Sequence, residues 1–322
     1  MKHRSLWALG IASLLASYGA VAQDFPAKHI TIVVPYAAGG PTDVTARRLA
    51  EAMSKQLDTP IVVENKPGAA TTIAAAHVAK APNDGHTLLM SLLTTTAVNP
   101  HLYRSLPYSQ DDFAPISLIS RQPVVLTVSP DTKAQTVDEL VAQVRNSGQP
   151  LTHGSTGAGS QTHIIGQWVG QSLDINVEDI PYKGTSASTT DVVSGRLQSR
   201  SEAISTAAPL HKSGKARVLA VMADERSSVL PDVPTFKEHG HPDIVTYLYL
   251  GLLAPAGTPE PVLEKLHAAA ATVVASPEFA AQLDGTGEEP MPSANPAEFG
   301  KFLKDEYTHW GKIIEPLNIK LD

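Results

Sequence analysis

The first hundred residues alternate between two hydrophobic periods. Ile30-Thr-Ile-Val-Val34 is a short β-branched run that empties into the small residues of 36–43. Ala46, Leu49, Ala50, Met53 and Leu57 then recur at helical spacing, which predicts a helix from Thr42 or Asp43 with a core-facing stripe. Pro60 ends it. Ile61-Val-Val-Glu64 reads as a strand, Asn65 to Gly68 as a turn and Thr71 to Lys80 as a helix. Asn83-Asp-Gly85 turns the chain into a strand over Thr87 to Ser91. This β-α-β-α-β order predicts a parallel sheet covered by helices. Polar and small residues gather at the junctions 36–43, 65–72 and 92–100, and in open α/β sheets the carboxyl ends of strands hold the ligand.

The pattern repeats further on. Phe113–Ile119 and Val124–Val128 read as two strands. Thr136 and Glu139 form a capping-box pair ahead of a helix carrying Val137, Leu140, Val141 and Val144. Pro150 to His153 leads into a second glycine turn, after which Ile164, Ile165, Trp168, Val169 and Leu173 keep helical spacing. Strands follow at Val177–Tyr182 and Arg217–Met222, with a turn and helix over Gly184–Val193 between them. Tyr247 to Ala254 is extended and apolar. Helices then start after Pro259 and at Pro277, and the last carries Phe299, Phe302, Leu303, Trp310, Ile313 and Ile314 on one side. Stretches 123–128 and 247–254 are candidate crossings between two α/β domains, 23–125 plus 250–322 and 126–249. Two crossings make a hinge around a central cleft. The expected fold is therefore α/β, two-lobed, with mostly parallel sheets.

Composition narrows the function. The 322 residues are 42% hydrophobic and 18% charged, which is globular and not disordered. A basic start, an apolar run from Leu6 to Leu15 and Ala20-Val-Ala22 in order predict a signal peptide over 1–22 and export, with a bacterial periplasm as the destination. No later stretch is long and apolar enough for a membrane span. Cysteine is absent, which removes disulfides and thiolate chemistry. The net charge of −7, with no Lys/Arg cluster, disfavours nucleic acid, and an anionic ligand would need local dipoles.

The two glycine turns supply such dipoles. Ala38-Gly-Gly-Pro-Thr-Asp43 and Ser155-Thr-Gly-Ala-Gly-Ser160 each sit between a strand and a helix N-terminus, where backbone N–H groups point at an anion. Either could be a tight connection and nothing more; together they favour anion binding. Neither is a GxGxxG fingerprint with its acidic partner or a P-loop, so no nucleotide cofactor is expected. His239-Gly-His241 lacks companions at metal-ligand spacing. Asp111-Asp112 and Glu288-Glu289 read as solvated loop carboxylates, and no GxSxG or HExxH is present, so no catalytic constellation stands out. Gly195 to Glu202 is polar where a strand is due. Arg200 there could clamp a carboxylate bidentately, or the segment could be an exposed edge strand charged to deter pairing.

The exported start, VVPYAAGGPTD, VENKPGA, PNDGHTLL, HGSTGAGSQTH, IPYKGTSAS, LPDVPTFKEHG, GLLAPAGTP and WGKIIE resemble, in order and over essentially the whole mature chain, the Bug-type periplasmic receptors of tripartite tricarboxylate transporters. The resemblance implies a monomeric, non-enzymatic receptor that grips a small carboxylate and hands it to membrane subunits of such a transporter, without metal or cofactor. Carried over, it points to Ala38, Gly39, Gly40, Thr42 and Asp43, to Thr94, Thr95 and Thr96, and to Ser155, Thr156, Gly157, Gly159 and Ser160. Asp43 matches a position that meets an amino group in some members; here it could simply cap the helix. The family usually has an Asp, apolar residues and an aromatic across 198–202. Gln198-Ser-Arg-Ser-Glu202 departs from that pattern. The departure suggests a roomier cleft and a second carboxylate on the ligand, as in terephthalate, with adipate- or citrate-like acids as alternatives. An exported enzyme acting on a carboxylic acid and a carboxylate sensor subunit are the competing readings.

Overall fold

The computed structural model describes residues 25–321, so the expected signal peptide lies outside the described residues. In chain order the elements are β1 (Ile30–Val34), α1 (Pro41–Leu57), β2 (Ile61–Asn65), α2 (Thr72–Ala79), β3 (Thr87–Ser91), α3 (Asn99–Leu102) and β4 (Phe113–Val128). Then come α4 (Val137–Ser147), β5 (Leu151–Ser155), α5 (Gln161–Ser172), β6 (Val177–Pro181), α6 (Thr185–Val193), β7 (Ser199–Ala203), α7 (Ile204–Lys212) and β8 (Arg217–Val221). The chain closes with β9 (Tyr247–Pro255), α8 (Glu260–Val274), α9 (Pro277–Leu283), β10 (Glu289–Pro290) and α10 (Pro296–Ile314).

The strands follow one path, β2-β1-β3-β9-β4-β7-β5-β6, with β8 and β10 also on β4. β1, β2 and β3 run parallel, as do β5, β6 and β7, and each trio has its helices in the connections. Between the trios, β9 is antiparallel to both β3 and β4. The two lobes thus share β4: its first part pairs with β9 and β10 and its second with β7 and β8. The sequence suggests a break in this strand, because Ser120-Arg-Gln-Pro123 is polar. The fold instead keeps one strand of 16 residues, bent by register shifts between Pro115 and Ser117 and between Leu118 and Ser120. Further along, Pro123 stands opposite Tyr247, the Val124 N–H donates to Thr246 O at 3.4 Å, and Met222 N donates to Val124 O at 2.8 Å. Residues 123–124 and 246–247 therefore lie side by side.

Each lobe buries both faces of its sheet, as parallel strands with helical crossovers require. In the first, Ile30, Ile32 and Leu88 meet Leu49, Met53 and Leu266, while Val33 and Leu89 meet Val78 and Phe299. In the second, Leu126, Val128 and Leu151 meet Ile164 and Trp168, while Val125 and Val221 meet Ile204 and Ala207. α10 ties the lobes together. It packs on residues 94–98, β4 and α5, and sends fully buried Trp310 to Trp168, ring centroids 6.5 Å apart.

Two expectations need correction. β7 is not an edge: it lies between β4 and β5, and all five residues are buried. Two of its serines meet His153 inside the lobe. His153 Nε2 accepts the Ser201 N–H at 3.0 Å and Nδ1 meets Ser199 Oγ at 3.0 Å, so the ring carries its proton on Nδ1. Glu288 is not a solvated loop acid either. It is buried, accepting Thr45 Oγ1 at 3.1 Å and Ser120 Oγ. Burial pushes its carboxyl up against the pull of Ser120, Thr45 and Arg48. Its neighbour Glu289 pairs with Arg121 at 3.0 Å on the surface.

Candidate ligand-binding site

The first glycine turn leaves β1 and enters α1. Gly39 has φ +83°, a left-handed conformation that glycine adopts without a Cβ penalty. Gly40 is the helix N-cap and contributes no side chain; Pro41 follows at the first helical position, where its missing N–H costs nothing. Asp43, the third helical residue, is buried and reaches back: Oδ2 accepts the Gly39 N–H at 2.8 Å and Arg47 Nε at 3.0 Å, and Oδ1 accepts Asn65 Nδ2 at 2.9 Å. Asn65 Nδ2 also reaches Tyr36 O at 2.9 Å, tying the end of β2 to the turn. Burial raises the Asp43 carboxyl, but the hydrogen bonds from Arg47, Gly39 and Asn65 outweigh it and hold the group below the usual carboxylate range. Asp43 is thus not the N-cap. It fixes the turn, while Ala38 and Gly39 stay exposed and Thr42 half-exposed.

The other junctions of this lobe are strained and fastened together. Ala69, Ala70 and Thr71 all have left-handed φ, +45°, +46° and +76°, in a conformation that costs a non-glycine residue about 1–2 kcal/mol. Thr94 to Val98 form a π-helical turn. Thr71 Oγ1 meets Thr95 Oγ1 at 2.9 Å, and Asn99 Nδ2 donates to Ala70 O at 2.8 Å and to Tyr108 Oη at 3.1 Å. Tyr108 Oη in turn donates to Thr95 O at 2.8 Å. Thr94, Thr95 and Thr96 are all buried. Burial raises the Tyr36 phenol, and the Thr94 hydroxyl beside it works the other way.

The second turn repeats the first in its parts. Gly159 has φ +74°, Ser160 is the N-cap, Thr162 is second in the helix, and His163 third. His163 Nδ1 accepts the Gly159 N–H at 3.1 Å, as Asp43 accepts that of Gly39. Its proton is therefore on Nε2, 4.0 Å from Asp179 Oδ2. Ser155 Oγ donates to the same Asp179 oxygen at 3.2 Å, and burial raises that carboxyl while His163 and Ser155 pull it down. Thr156 N donates to Thr162 Oγ1 at 2.9 Å, and Ser160 Oγ accepts the His163 N–H at 3.2 Å. A Cβ on Gly159 would meet Leu321 Cδ1 at 2.2 Å and Leu102 Cδ1 at 3.6 Å. The turn is therefore seated on α3, which follows directly from Thr94–Thr96.

The structure thus gathers 36–43, 65–72 and 94–96 at the carboxyl ends of β1 to β3, and 155–160 at that of β5. Arg200 lies on β7 opposite Gly154, the residue before Ser155 of the second turn. It is 2% exposed, Nη1 donates to Thr185 O at 3.2 Å and to Thr189 Oγ1, and Nη2 lies 3.3 Å from Glu202 Oε2. Asn65, Thr71, Asn99, His163 and Asp179 support the turns but were not singled out by sequence. Only Asn65, closing a strand ahead of Lys-Pro-Gly, and His163, four residues after a turn glycine, carry a local signal; the others depend on tertiary pairing. Among the described residues no cluster of three or more His, Asp or Glu is arranged to hold a metal, and no helix is long and apolar enough to cross a membrane.

Two α/β lobes joined through β4 and β9, with a glycine turn ahead of a helix N-terminus in each, have the architecture of a two-lobed binding protein of the periplasmic kind. The profile of the tripartite tricarboxylate transporter family receptors matches residues 44–319. Protein BugT of Bordetella pertussis is 30% identical over 302 residues, covering 93% of this chain and 92% of that one. MatC of Rhodopseudomonas palustris, solved with bound malate, superposes with TM-score 0.83 at 32% identity, covering 90% of this chain and 100% of that one. A second R. palustris protein, solved with adipate, superposes at 0.86 and 29% identity, covering 92% and 99%. The chain belongs to the tripartite tricarboxylate transporter receptor family, a family of periplasmic solute-binding receptors and not of enzymes.

Proposed function

We propose that this receptor captures a small dicarboxylate between its two glycine turns and delivers it, unchanged, to the membrane subunits of a tripartite tricarboxylate transporter. It acts in the periplasm as a monomer. The observation that carries the reading is the matched pair of turns, each a left-handed glycine ahead of a helix N-terminus, with that glycine's N–H held by one side-chain acceptor. The N–H groups of the first helical turn lack intrahelical partners and favour an anion. Closure brings the lobes, 23–125 plus 250–322 and 126–249, together about the crossings near 123 and 247, with ligand contacts favouring the closed state. The malate and adipate of the two related structures support a dicarboxylate. Arg200 supplies a cation for the second carboxylate, and an aromatic acid such as terephthalate fits a β7 that carries small serines.

Calorimetry against malate, adipate, citrate and terephthalate tests this, with recovery of unchanged ligand and a thermal-shift screen alongside, since a ligand of the folded state raises Tm. Binding of at least one diacid, lost at least tenfold in Arg200→Ala, is expected. Unchanged affinity in that variant would remove Arg200 from the site.

A further inference from the structure

The guanidinium of Arg200 is only half used. Its Nη1 is committed to Thr185 O and Thr189 Oγ1 in the first two turns of α6. Its Nε is buried with no hydrogen-bond partner, and Nη2 approaches Glu202 Oε2 at 3.3 Å without forming a hydrogen bond. Neither Glu202 oxygen has a hydrogen-bond partner, although the side chain is 2% exposed. The open edge, Nε together with Nη2, is the one a carboxylate grips side-on with two parallel bonds. Pairing between β5 and β7 ends at Gly154 opposite Arg200, so Ser201 to Ala203 run on past it at the level where the second glycine turn begins. Glu202 shares Arg200's face of the strand and stands two residues closer to the carboxyl end, towards the cleft.

We infer that Glu202 is a stand-in for the ligand: the far carboxylate of a bound diacid takes the Nε/Nη2 edge of Arg200, and Glu202, displaced from it, takes up one proton. This deepens the dicarboxylate reading above and rests on it. Two ionised carboxylates on one buried guanidinium repel each other, so one must be neutralised. The ligand, held at its other end by the glycine turns, keeps its charge, and Glu202 accepts a proton from solvent to become a neutral carboxylic acid. Burial already pushes the Glu202 carboxyl up, with Arg200 and Thr127 opposing. Among the groups on surrounding elements, His163 on α5 lies 4.0 Å from Asp179 of β6, which also accepts Ser155 Oγ. On β5, His153 is held near 3 by burial and by Arg200, so it stays neutral. On α6, Asp191 is tied to Arg196 and Tyr182. β4 contributes the Thr127 hydroxyl, and α7 has His211 and Lys212 only in its last turn.

The test is calorimetry of the full protein with adipate, malate and terephthalate, and with hexanoate as a one-carboxylate control, in buffers of different ionisation enthalpy. About one proton taken up per diacid, none per hexanoate, and none per diacid in Glu202→Gln is expected. Over the pH range of full uptake, wild-type diacid affinity weakens about tenfold per pH unit as pH rises, and that of Glu202→Gln stays flat. Should the variant not fold, the wild-type proton count and pH slope decide alone. Diacid binding without proton uptake, or uptake that persists in Glu202→Gln, overturns the exchange and leaves the receptor reading standing. If none of the four probes binds, both readings fall together.

Discussion

The two glycine turns share one plan and differ in how they are held. In each, a left-handed glycine precedes the N-cap, and the third helical residue accepts that glycine's N–H. At turn one the acceptor is Asp43, an anion neutralised by Arg47, and the glycine looks into open space: a Cβ on Gly39 would meet nothing within 4 Å. At turn two the acceptor is a neutral histidine nitrogen, and the glycine is pressed against Leu321. Turn one is fastened by charge and left open; turn two is fastened by packing and nearly closed. The same local chemistry thus gives one turn free to meet a ligand and one whose shape depends on the other lobe.

Substituting the glycines separates these modes most sharply. Gly159→Ala combines left-handed strain of about 1–2 kcal/mol with overpacking of about 1–3 kcal/mol. The backbone of Leu321 is held by its N–H donating to Leu102 O at 2.8 Å and its O accepting Arg104 N at 3.2 Å, so any relief must come from its side-chain rotamer. Gly39→Ala carries the strain alone. Urea midpoints should therefore fall clearly further for the first variant, and equal falls would show that turn two is not packed as described.

Next in size is the acceptor. Asp43→Ala removes an anion that accepts from Gly39, Arg47 and Asn65, and should cost about 1–3 kcal/mol by chemical denaturation. It should also weaken ligand binding, since turn one then loses its fixed shape. A loss under a few tenths of a kcal/mol would mean the turn holds itself.

Acidification should loosen the lobes in sequence. His153, in the strand that feeds turn two, is pushed down to about 3 by burial, by Arg200 and by His163. Unfolded, it titrates near 6.5, so the unfolded chain binds the extra proton first. Its contribution is complete above pH 6.5 and drains away as pH falls towards 3. Asp43 is also depressed, but its contribution is complete above the unfolded carboxylate value of about 4 and is lost only below that. Hydrogen exchange followed between pH 7 and pH 4 should show protection falling first in β5 and α5, with α1 holding. The smallest effect concerns strain. Ala70→Gly relieves one left-handed residue at the expense of a looser unfolded chain, and should change stability by at most about 1 kcal/mol, towards greater stability.

Much of this was legible beforehand where local chemistry decides. Strand runs such as Ile30–Val34 and helical stripes such as Ala46 to Leu57 follow from periodicity. The rest depends on partners distant in sequence. Gly195 to Glu202 leaves an edge strand and a cleft strand both open, because nothing local shows that His153 and Thr185 will meet its polar groups. Ser120 to Pro123 looks like a break because Glu288 and β9 arrive from beyond residue 245. The left-handed run at 69–71 carries no glycine to announce it past Gly68. Its conformation is imposed by Thr95 and Asn99.

The central claim is that one carboxylate ligand engages both turns at once. Titrating isotope-labelled protein with adipate, and following the backbone amides of Gly39, Gly40, Gly157, Gly159 and Ser160 by NMR, tests it most directly. The account predicts that amides of both turns shift together along one binding curve. Shifts confined to one turn, or curves with different midpoints, would contradict it.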